Sequence, residues 1–203
     1  MAIFLMAARA DCGDFELMQE DASVITYHYT GVVQFGDANK LKDLCEAADK
    51  KVAVVIDSPG GSAYEGVALY RTAKRFDVVT CPGVDFGAYS AAALFWLGGD
   101  TALVEGSIAG FHLAYCDPYS PPGCDTADID GEFFKCLIDS MGRHEAVKLW
   151  VQMQVALDTH GVNGFVLFAM VNGKVVTTTL KLERPTAELP ETPAPTSEPS
   201  MQD

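Results

Sequence analysis

The sequence predicts an α/β domain with a mainly parallel sheet covered by helices. Short apolar runs such as residues 52–56 are typical of strands buried on both faces, and segments with helical spacing alternate with these runs. Of the 203 residues, 49% are hydrophobic, which is enough to build one core. We therefore expect a single domain over residues 1–183.

The elements follow from local signals. Ser62 and Glu65 form a capping-box pattern, so a helix is expected to begin at Ser62 or Ala63 and to reach Phe76. Asn172-Gly173 is a dipeptide typical of tight hairpin turns. The remaining predictions are strands at 78–81, 101–104 and 108–113, a buried helix at 88–97, helices at 130–141 and 144–157 separated by Gly142, and a hairpin formed by 165–170 and 174–180.

The two ends differ from the middle in composition. An apolar run ends in Ala8-Arg9-Ala10, which fits a signal-cleavage site, but no Lys or Arg precedes it, so export to the periplasm and a cytoplasmic location both stay open. Residues 184–203 hold five of the ten prolines and four acids, and we expect a disordered acidic Pro-rich tail. Cys116 and Cys124 bracket a Pro- and Gly-rich loop, where a disulfide and buried free thiols are the alternatives.

The net charge of −14, from 28 acidic and 14 basic side chains, argues against nucleic acid as a partner, because phosphate backbones require clusters of Lys and Arg. The longest uncharged apolar stretch, residues 88–99, is shorter than the roughly 18 residues of a membrane span. Nine acids and no base lie between Phe76 and Phe134. They form either a solvated rim or a surface that favours a basic peptide substrate.

Ser90 is the one polar side chain at the start of the apolar helix. The first turn of a helix offers unpaired amides that stabilise an anion, although serine is also a common N-cap and packing residue. The Gly60-Gly61 pair follows a buried strand, where glycine allows backbone N–H groups to turn toward a pocket. His112 lies in an apolar segment and is either a general base or a hydrogen-bonded core residue.

Three segments carry a resemblance to a known superfamily: VVIDSPGGSAYEGVALY (54–70), GAYSAAALFWLGG (87–99) and IAGFH (108–112). In order and spacing they resemble the Clp protease proteolytic-subunit and crotonase-like superfamily, above all its uncharacterised, often exported bacterial branch. The resemblance covers about residues 31–113 and implies a spiral of repeated β-β-α units. It also implies that Ser90 is a nucleophile and His112 its general base, and that the Gly61 and Ala91 amides form an oxyanion hole.

The residue that orients His112 has several candidates in the sequence. The Clp-like proteases use an aspartate about fifty residues after the histidine, and Asp158 lies 46 residues after His112. Asp117 and Asp125 are nearer in sequence, and a water molecule or a backbone carbonyl also fits the role. Asp158 is the prediction, with these alternatives open.

The predicted function is a serine hydrolase, a Clp-like peptidase that acts by acyl transfer and requires no metal or organic cofactor. The alternatives are a noncatalytic scaffold or binding module, an acyl-CoA enzyme, and a zinc site built from His112, Cys116 and Cys124. The resemblance implies self-association into rings or trimers. A chaperone ATPase partner stays open, and it would be a separate protein.

Overall fold

The structure is a computed structural model that describes residues 13–115 and 126–181. Helices and strands alternate along these residues, which confirms the α/β class. In chain order the elements are β1 (Asp14–Glu20), β2 (Val24–Thr30), α1 (Asp37–Ala47), β3 (Lys51–Asp57), α2 (Ala63–Arg75), β4 (Val79–Pro82), β5 (Ala88–Tyr89), α3 (Ala91–Gly98), β6 (Asp100–Thr101), β7 (Ile108–Phe111), α4 (Ala127–Met141), α5 (Arg143–His160), a 3₁₀ turn (Gly161–Asn163), β8 (Gly164–Val171) and β9 (Lys174–Lys181).

The strands form two sheets. The first has the order β1-β2-β3-β4-β6, in which β2, β3, β4 and β6 run parallel and β1 is antiparallel to β2. The second has the order β5-β7-β8-β9, in which β5 and β7 run parallel and the other pairs are antiparallel. The mainly parallel sheet is therefore confirmed, and the second sheet is an addition that the sequence patterns did not predict.

In the middle of the chain, from β4 to β7, successive strands alternate between the two sheets. Strands β4 and β6 belong to the first sheet, β5 and β7 belong to the second, and each such pair is followed by a helix. The earlier part of the chain repeats this arrangement in reduced form, because isolated bridging residues, rather than a second strand, lie between β2 or β3 and the next helix. These bridges are Val33 with Gly61 and Ser58 with Ala88. The β-β-α spiral that the family resemblance implied is the observed architecture.

Helix α3 lies in the centre of the core, with seven of its eight residues buried. It packs closely on α2, where a Cβ on Gly66 would lie 2.9 Å from the Ala91 Cα and a Cβ on Gly98 would lie 2.5 Å from the Tyr70 Cα. Glycine at these two positions lets the two backbones meet. This packing fixes the N-terminus of α3, which is where Ser90 lies.

Several element boundaries differ from the predictions. The helix expected at 88–97 begins three residues later, because Ala88–Tyr89 pairs with β7 as strand β5. The strand expected at 101–104 is limited to β6. The hairpin is confirmed, with φ of 51° at Asn172 and 69° at Gly173, as is the helix break at Gly142. Pairing across the sheet overrides helix propensity at Ala88 and Tyr89.

Other predictions concern segments outside the described residues. The signal-like N-terminus, the cysteines of the Pro- and Gly-rich loop, the domain limit at residue 183 and the tail at 184–203 all lie there. Within residues 13–115 and 126–181, no helix combines the length and the apolar character needed to cross a bilayer.

Candidate active site

Ser90 occupies the sharp turn between β5 and α3. Its backbone has φ of 56° and ψ of −122°, a conformation that residues with a side chain rarely adopt. The Ser90 N–H donates to the Gly110 carbonyl at 2.8 Å, and the Ser90 carbonyl accepts from the Ala93 N–H at 3.0 Å. Its hydroxyl makes no cap to the helix, and the side chain is half-buried. The surrounding backbone thus holds a strained serine whose hydroxyl is not used for capping.

Two backbone amides, those of Gly61 and Ala91, have no acceptor among the described residues. The Gly60 carbonyl accepts from Val33 N–H at 2.8 Å and the Ser62 N–H donates to the Val33 carbonyl at 2.8 Å, which leaves the Gly61 N–H between them without an acceptor among the described residues. The Ala91 N–H, at the start of α3, likewise has no acceptor within 13–115 or 126–181.

Gly60 also contacts the serine turn. A Cβ on Gly60 would lie 2.5 Å from the Ser90 Cβ and 3.1 Å from the Ala91 nitrogen, so glycine is needed at this contact. The Ala91 amide therefore lies at the turn that holds Ser90, and Gly61 follows the residue that contacts this turn. The family resemblance implied an oxyanion hole from the amides of Gly61 and Ala91, and this role stays a prediction.

His112 directly follows β7 and is half-buried. Its ring packs edge-on against Phe165, with ring centroids 4.5 Å apart, and lies 5.6 Å from the Tyr115 ring. Nδ1 and the Leu113 carbonyl are 2.7 Å apart, and because a carbonyl only accepts, Nδ1 carries the proton. In the neutral ring Nε2 is then the basic nitrogen, which is the tautomer a general base requires.

The strand register brings Ser90 and His112 to the same end of the β5–β7 pair. Tyr89 lies opposite Gly110, and His112 is two residues beyond Gly110. The Phe165 ring contacts both the Tyr89 ring, at 6.0 Å between centroids, and the His112 ring. Within the described residues no hydrogen bond joins the Ser90 hydroxyl to the His112 ring. Ser90 and His112 thus lie at the same end of the β5–β7 pair, but their side chains are not hydrogen-bonded to each other.

Asp158 lies on the exposed side of α5, where its Oδ1 accepts from the Gln154 side-chain amide at 3.1 Å. In the part of the chain that the structure describes, Asp158 and His112 share no hydrogen bond. The alternatives Asp117 and Asp125 lie outside the described residues. The Leu113 carbonyl contacts His112 Nδ1, which is where an orienting acceptor is needed.

An Asp57–His28 pair lies next to the serine turn, and the sequence analysis did not identify it. Asp57 ends β3, and its Oδ1 accepts from the Phe86 N–H at 2.9 Å and from the Gly87 N–H at 2.7 Å. Its Oδ2 is 2.9 Å from His28 Nε2 on the neighbouring strand β2. The signal was an acid directly after a buried parallel strand. The pair holds the loop that leads into β5 and Ser90.

Burial, followed by the charge of Asp57, raises the pKa of Tyr89 to about 12. Tyr89 precedes Ser90, and its backbone N–H donates to the Ser58 carbonyl at 3.0 Å. The phenol is therefore neutral at physiological pH. The Tyr89 side chain packs with Phe165 and Leu167 in an apolar cluster directly before the serine turn.

Several acids of the expected acidic rim have structural partners. Hydrogen bonds from Lys135 and then Arg71 hold the pKa of Glu132 below its usual value. The N–H groups of Gly173 and then Asn172 do the same for the pKa of Glu105, which caps the β8–β9 hairpin. Within 13–115 and 126–181 no three His, Cys, Asp or Glu side chains are grouped to hold a metal ion, and the two cysteines of the zinc alternative lie outside these ranges.

Comparisons with known proteins bear on the fold alone. No protein-family model and no curated protein matches this sequence. Among solved structures, the chain resembles ClpP1 from Listeria monocytogenes with 15% identity and a TM-score of 0.46, over 61% of this chain and 76% of that chain. It also resembles a point mutant of ClpP1 from the same organism with 12% identity and a TM-score of 0.48, over 61% of this chain and 77% of that chain. At these identities the likeness says nothing about the site.

Proposed function

We propose that the protein is a serine hydrolase in which Ser90 is the nucleophile and His112 the general base. The observation that carries the proposal is the backbone of Ser90, which has a positive φ at a strand-to-helix turn directly before the unpaired Ala91 amide. Strained non-glycine residues cluster at active sites, and a serine at a sharp strand-to-helix turn exposes its hydroxyl for attack.

The proposed reaction is acyl transfer. The Ser90 oxygen attacks a carbonyl carbon while His112 Nε2 accepts the hydroxyl proton, and the Gly61 and Ala91 amides donate to the resulting oxyanion. His112 then gives the proton to the leaving group. Water attacks the acyl-enzyme by the same route in reverse, which restores the serine.

His112 is set up for this role by the Leu113 carbonyl, which accepts from Nδ1–H at 2.7 Å. In the proposal this carbonyl orients the ring, and Asp158 remains a candidate that Asp158→Asn tests. Reaction requires Ser90 Oγ to come within about 2.6–3.2 Å of Nε2, a contact that often tightens only when substrate binds.

The proposed substrate class is a peptide, with a homo-oligomer as the working assembly. No Lys or Arg occurs between Arg75 and Lys135, so the segment that carries Ser90 and His112 offers no cation for the phosphates of coenzyme A. This absence favours a peptidase over an acyl-CoA enzyme. It also favours histidine as the base over a lysine from the same segment.

A fluorophosphonate probe tests the proposal, because it reacts covalently with activated serines. We expect the wild type to be labelled and Ser90→Ala to be unlabelled. His112→Gln is expected to label at least 100-fold more slowly, since the base is lost. Ser58→Ala is the matched control, because it removes another buried hydroxyl near the same turn; it should lower stability but leave the labelling of the folded protein unchanged.

Equal labelling of the wild type and Ser90→Ala would contradict the nucleophile assignment. A wild type that is not labelled between pH 6 and pH 9 would favour the second candidate, a noncatalytic scaffold or binding module. That candidate has one observation in its favour, which is the open contact between Ser90 and His112 in the described chain.

A further inference from the structure

A cavity of about 410 Å³ lies between the C-terminal half of α2 and the second half of α4. This volume is within the range of small-molecule sites, roughly 300–1,000 Å³. Helix α2 begins at Ala63, just after the Gly60-Gly61 turn, and its residues that line the cavity lie about 10–18 Å further along the helix. The cavity is therefore separate from the turn that holds Ser90.

Four basic side chains line this cavity. Arg71, Lys74 and Arg75 lie on α2, and Lys135 lies on α4. The three on α2 are spaced by three and four residues, which places them on one face of the helix, where like charges repel. The whole chain has 14 basic residues and a net charge of −14, so four cations around one cavity are a local reversal of its charge.

Two carboxylates of α4 hold three of these cations in place. Glu132 Oε1 accepts from Lys135 Nζ at 2.6 Å, and Glu132 Oε2 accepts from the Arg71 guanidinium. Asp139 accepts from Lys74 Nζ. Four cations thus face two carboxylates, which leaves an excess of positive charge at the cavity. The ion pairs also fix the positions of the cations before a ligand arrives, which lowers the entropy cost of binding.

Arg75 is the cation of this cluster that has no carboxylate partner among the described residues. Its guanidinium lies over the Phe76 ring, 5.2 Å from the ring centre, and its N–H groups remain available to a ligand. The base of the cavity is formed by Tyr70 and Cys136, each 3% exposed. Burial above all raises the pKa of the Cys136 thiol to about 11, so the thiol adds no negative charge at neutral pH.

We propose that the cavity between α2 and α4 binds the phosphate group of a small molecule. A phosphate dianion matches the excess of two positive charges, and its oxygens accept paired hydrogen bonds from an arginine fork beside the point charges of lysines. The confined volume suits a small ligand, and the net charge of −14 disfavours nucleic acid. The site does not depend on the chemistry at Ser90, so either proposal can fail without the other.

Isothermal titration calorimetry of the full chain with inorganic phosphate, at an ionic strength kept constant with chloride, provides the test. We expect saturable binding by the wild type and a dissociation constant at least tenfold higher in Arg75→Gln. Arg75→Lys keeps the charge but loses the fork, so its constant should fall between the two. Arg143→Gln is the matched control, because it removes the same charge from an exposed position on α5 outside the cavity. It should change the constant less than twofold.

Protection of lysines from acylation locates the bound ion. Lys135 and Lys148 each pair with a glutamate three residues earlier, at 2.6 Å and 2.8 Å, but Lys135 lines the cavity and Lys148 does not. Phosphate should slow the acylation of Lys135 by an N-hydroxysuccinimide ester at least threefold and leave Lys148 unchanged, as measured by mass spectrometry after digestion.

The same titration with glycerol phosphate distinguishes the two sources of the phosphate group. Tighter binding of the ester than of inorganic phosphate would support a phosphorylated metabolite as the ligand, and the reverse order would support free phosphate. No saturable binding of either compound below about 10 mM would overturn the proposal. Equal effects of Arg75→Gln and Arg143→Gln, or equal protection of Lys135 and Lys148, would also overturn it.

Discussion

Ser58 and Ser90 lie at neighbouring strand ends but differ in burial, backbone conformation and hydrogen bonding. Ser58 follows β3 and is fully buried, and its hydroxyl donates to the Gly31 carbonyl at 2.6 Å and accepts from the Gly60 N–H at 3.2 Å. Ser90 follows β5, is half-buried, has a positive φ and leaves the helix uncapped. The first hydroxyl stabilises the turn. The second is kept in a strained position that the neighbouring backbone supports, which is the pattern expected of a group reserved for chemistry.

Gly60→Ala should have the largest effect on stability and on labelling, because Gly60 contacts both the turn after Ser58 and the turn that holds Ser90. The new methyl would lie 2.5 Å from the Ser90 Cβ and 2.6 Å from the Tyr89 carbonyl, at a φ of 93°. We expect the free energy of unfolding to fall by about 2–4 kcal/mol and probe labelling of Ser90 to be lost. Urea denaturation measures the first and fluorophosphonate labelling the second.

Gly131→Ala is the control for Gly60→Ala. Gly131 lies on the exposed side of α4, where a Cβ would meet nothing within 4 Å. Alanine has the higher helix propensity, so this variant should gain about 0.5–1 kcal/mol. If Gly60→Ala were as stable as the wild type, the backbone around Ser90 would not be held in the way described.

Asp57→Ala should have the next largest effect. It removes the acceptor of the Phe86 and Gly87 N–H groups and the partner of His28, so the loop before β5 loses its anchor. We expect a loss of about 2–3 kcal/mol in urea denaturation and faster proteolysis within this loop. Asp85→Ala, an exposed position in the same loop, should change stability by less than about 0.5 kcal/mol. Equal losses for both variants would show that Asp57 does not anchor the loop.

Ser58→Ala and Ser90→Gly should change the free energy of unfolding in opposite directions. Ser58→Ala removes the hydrogen bonds to Gly31 and Gly60 and should cost about 1–2 kcal/mol. Ser90→Gly relieves the positive φ and should stabilise the protein by about 1 kcal/mol while abolishing labelling. Thermal or urea denaturation of both variants decides the sign. A loss of stability in Ser90→Gly would mean that the backbone there is not strained.

The sequence predicted correctly those features of secondary structure that depend on neighbouring residues, such as helix caps. The start of α2 is confirmed, with the Ser62 hydroxyl accepting from the Glu65 N–H at 3.3 Å. The same pattern did not predict where the Glu65 carboxylate goes, because it accepts from the Gly36 and Ala38 N–H groups at the start of α1. The partner of a side chain on another element depends on packing, which the spacing within one helix does not encode.

The candidate site shows the same division. Ser90 and His112 were singled out from residue type and position, their roles came from the family resemblance, and the structure places both at the ends of one strand pair. The two residues of β5 were predicted as helix. They form a strand because they pair with β7, about twenty residues later in the chain, and local sequence does not show this pairing. His28 pairs with Asp57 because β2 and β3 run side by side. These contacts arise from the sheet order, which no local pattern contains.

The last predicted effect, which arises only at high pH, comes from Tyr89, whose backbone N–H links the two serine turns. Its pKa is raised from 10.0 to about 12 in the folded chain, so above pH 10 the unfolded phenol loses its proton while the folded phenol keeps it. Stability should therefore fall as the pH rises from 10 to 12, by at most about 1.4 kcal/mol per pH unit for this group. Urea denaturation at pH 9 and pH 11 should show a smaller decrease in the free energy of unfolding in Tyr89→Phe than in the wild type.

Other groups that ionise in this range are common to both proteins. Burial raises the pKa of the Cys45 and Cys136 thiols to about 11, and both thiols contribute equally to the two proteins, so the difference between their decreases in stability isolates Tyr89. Identical decreases in the two proteins would show that the phenol beneath Ser90 is not shielded from ionisation.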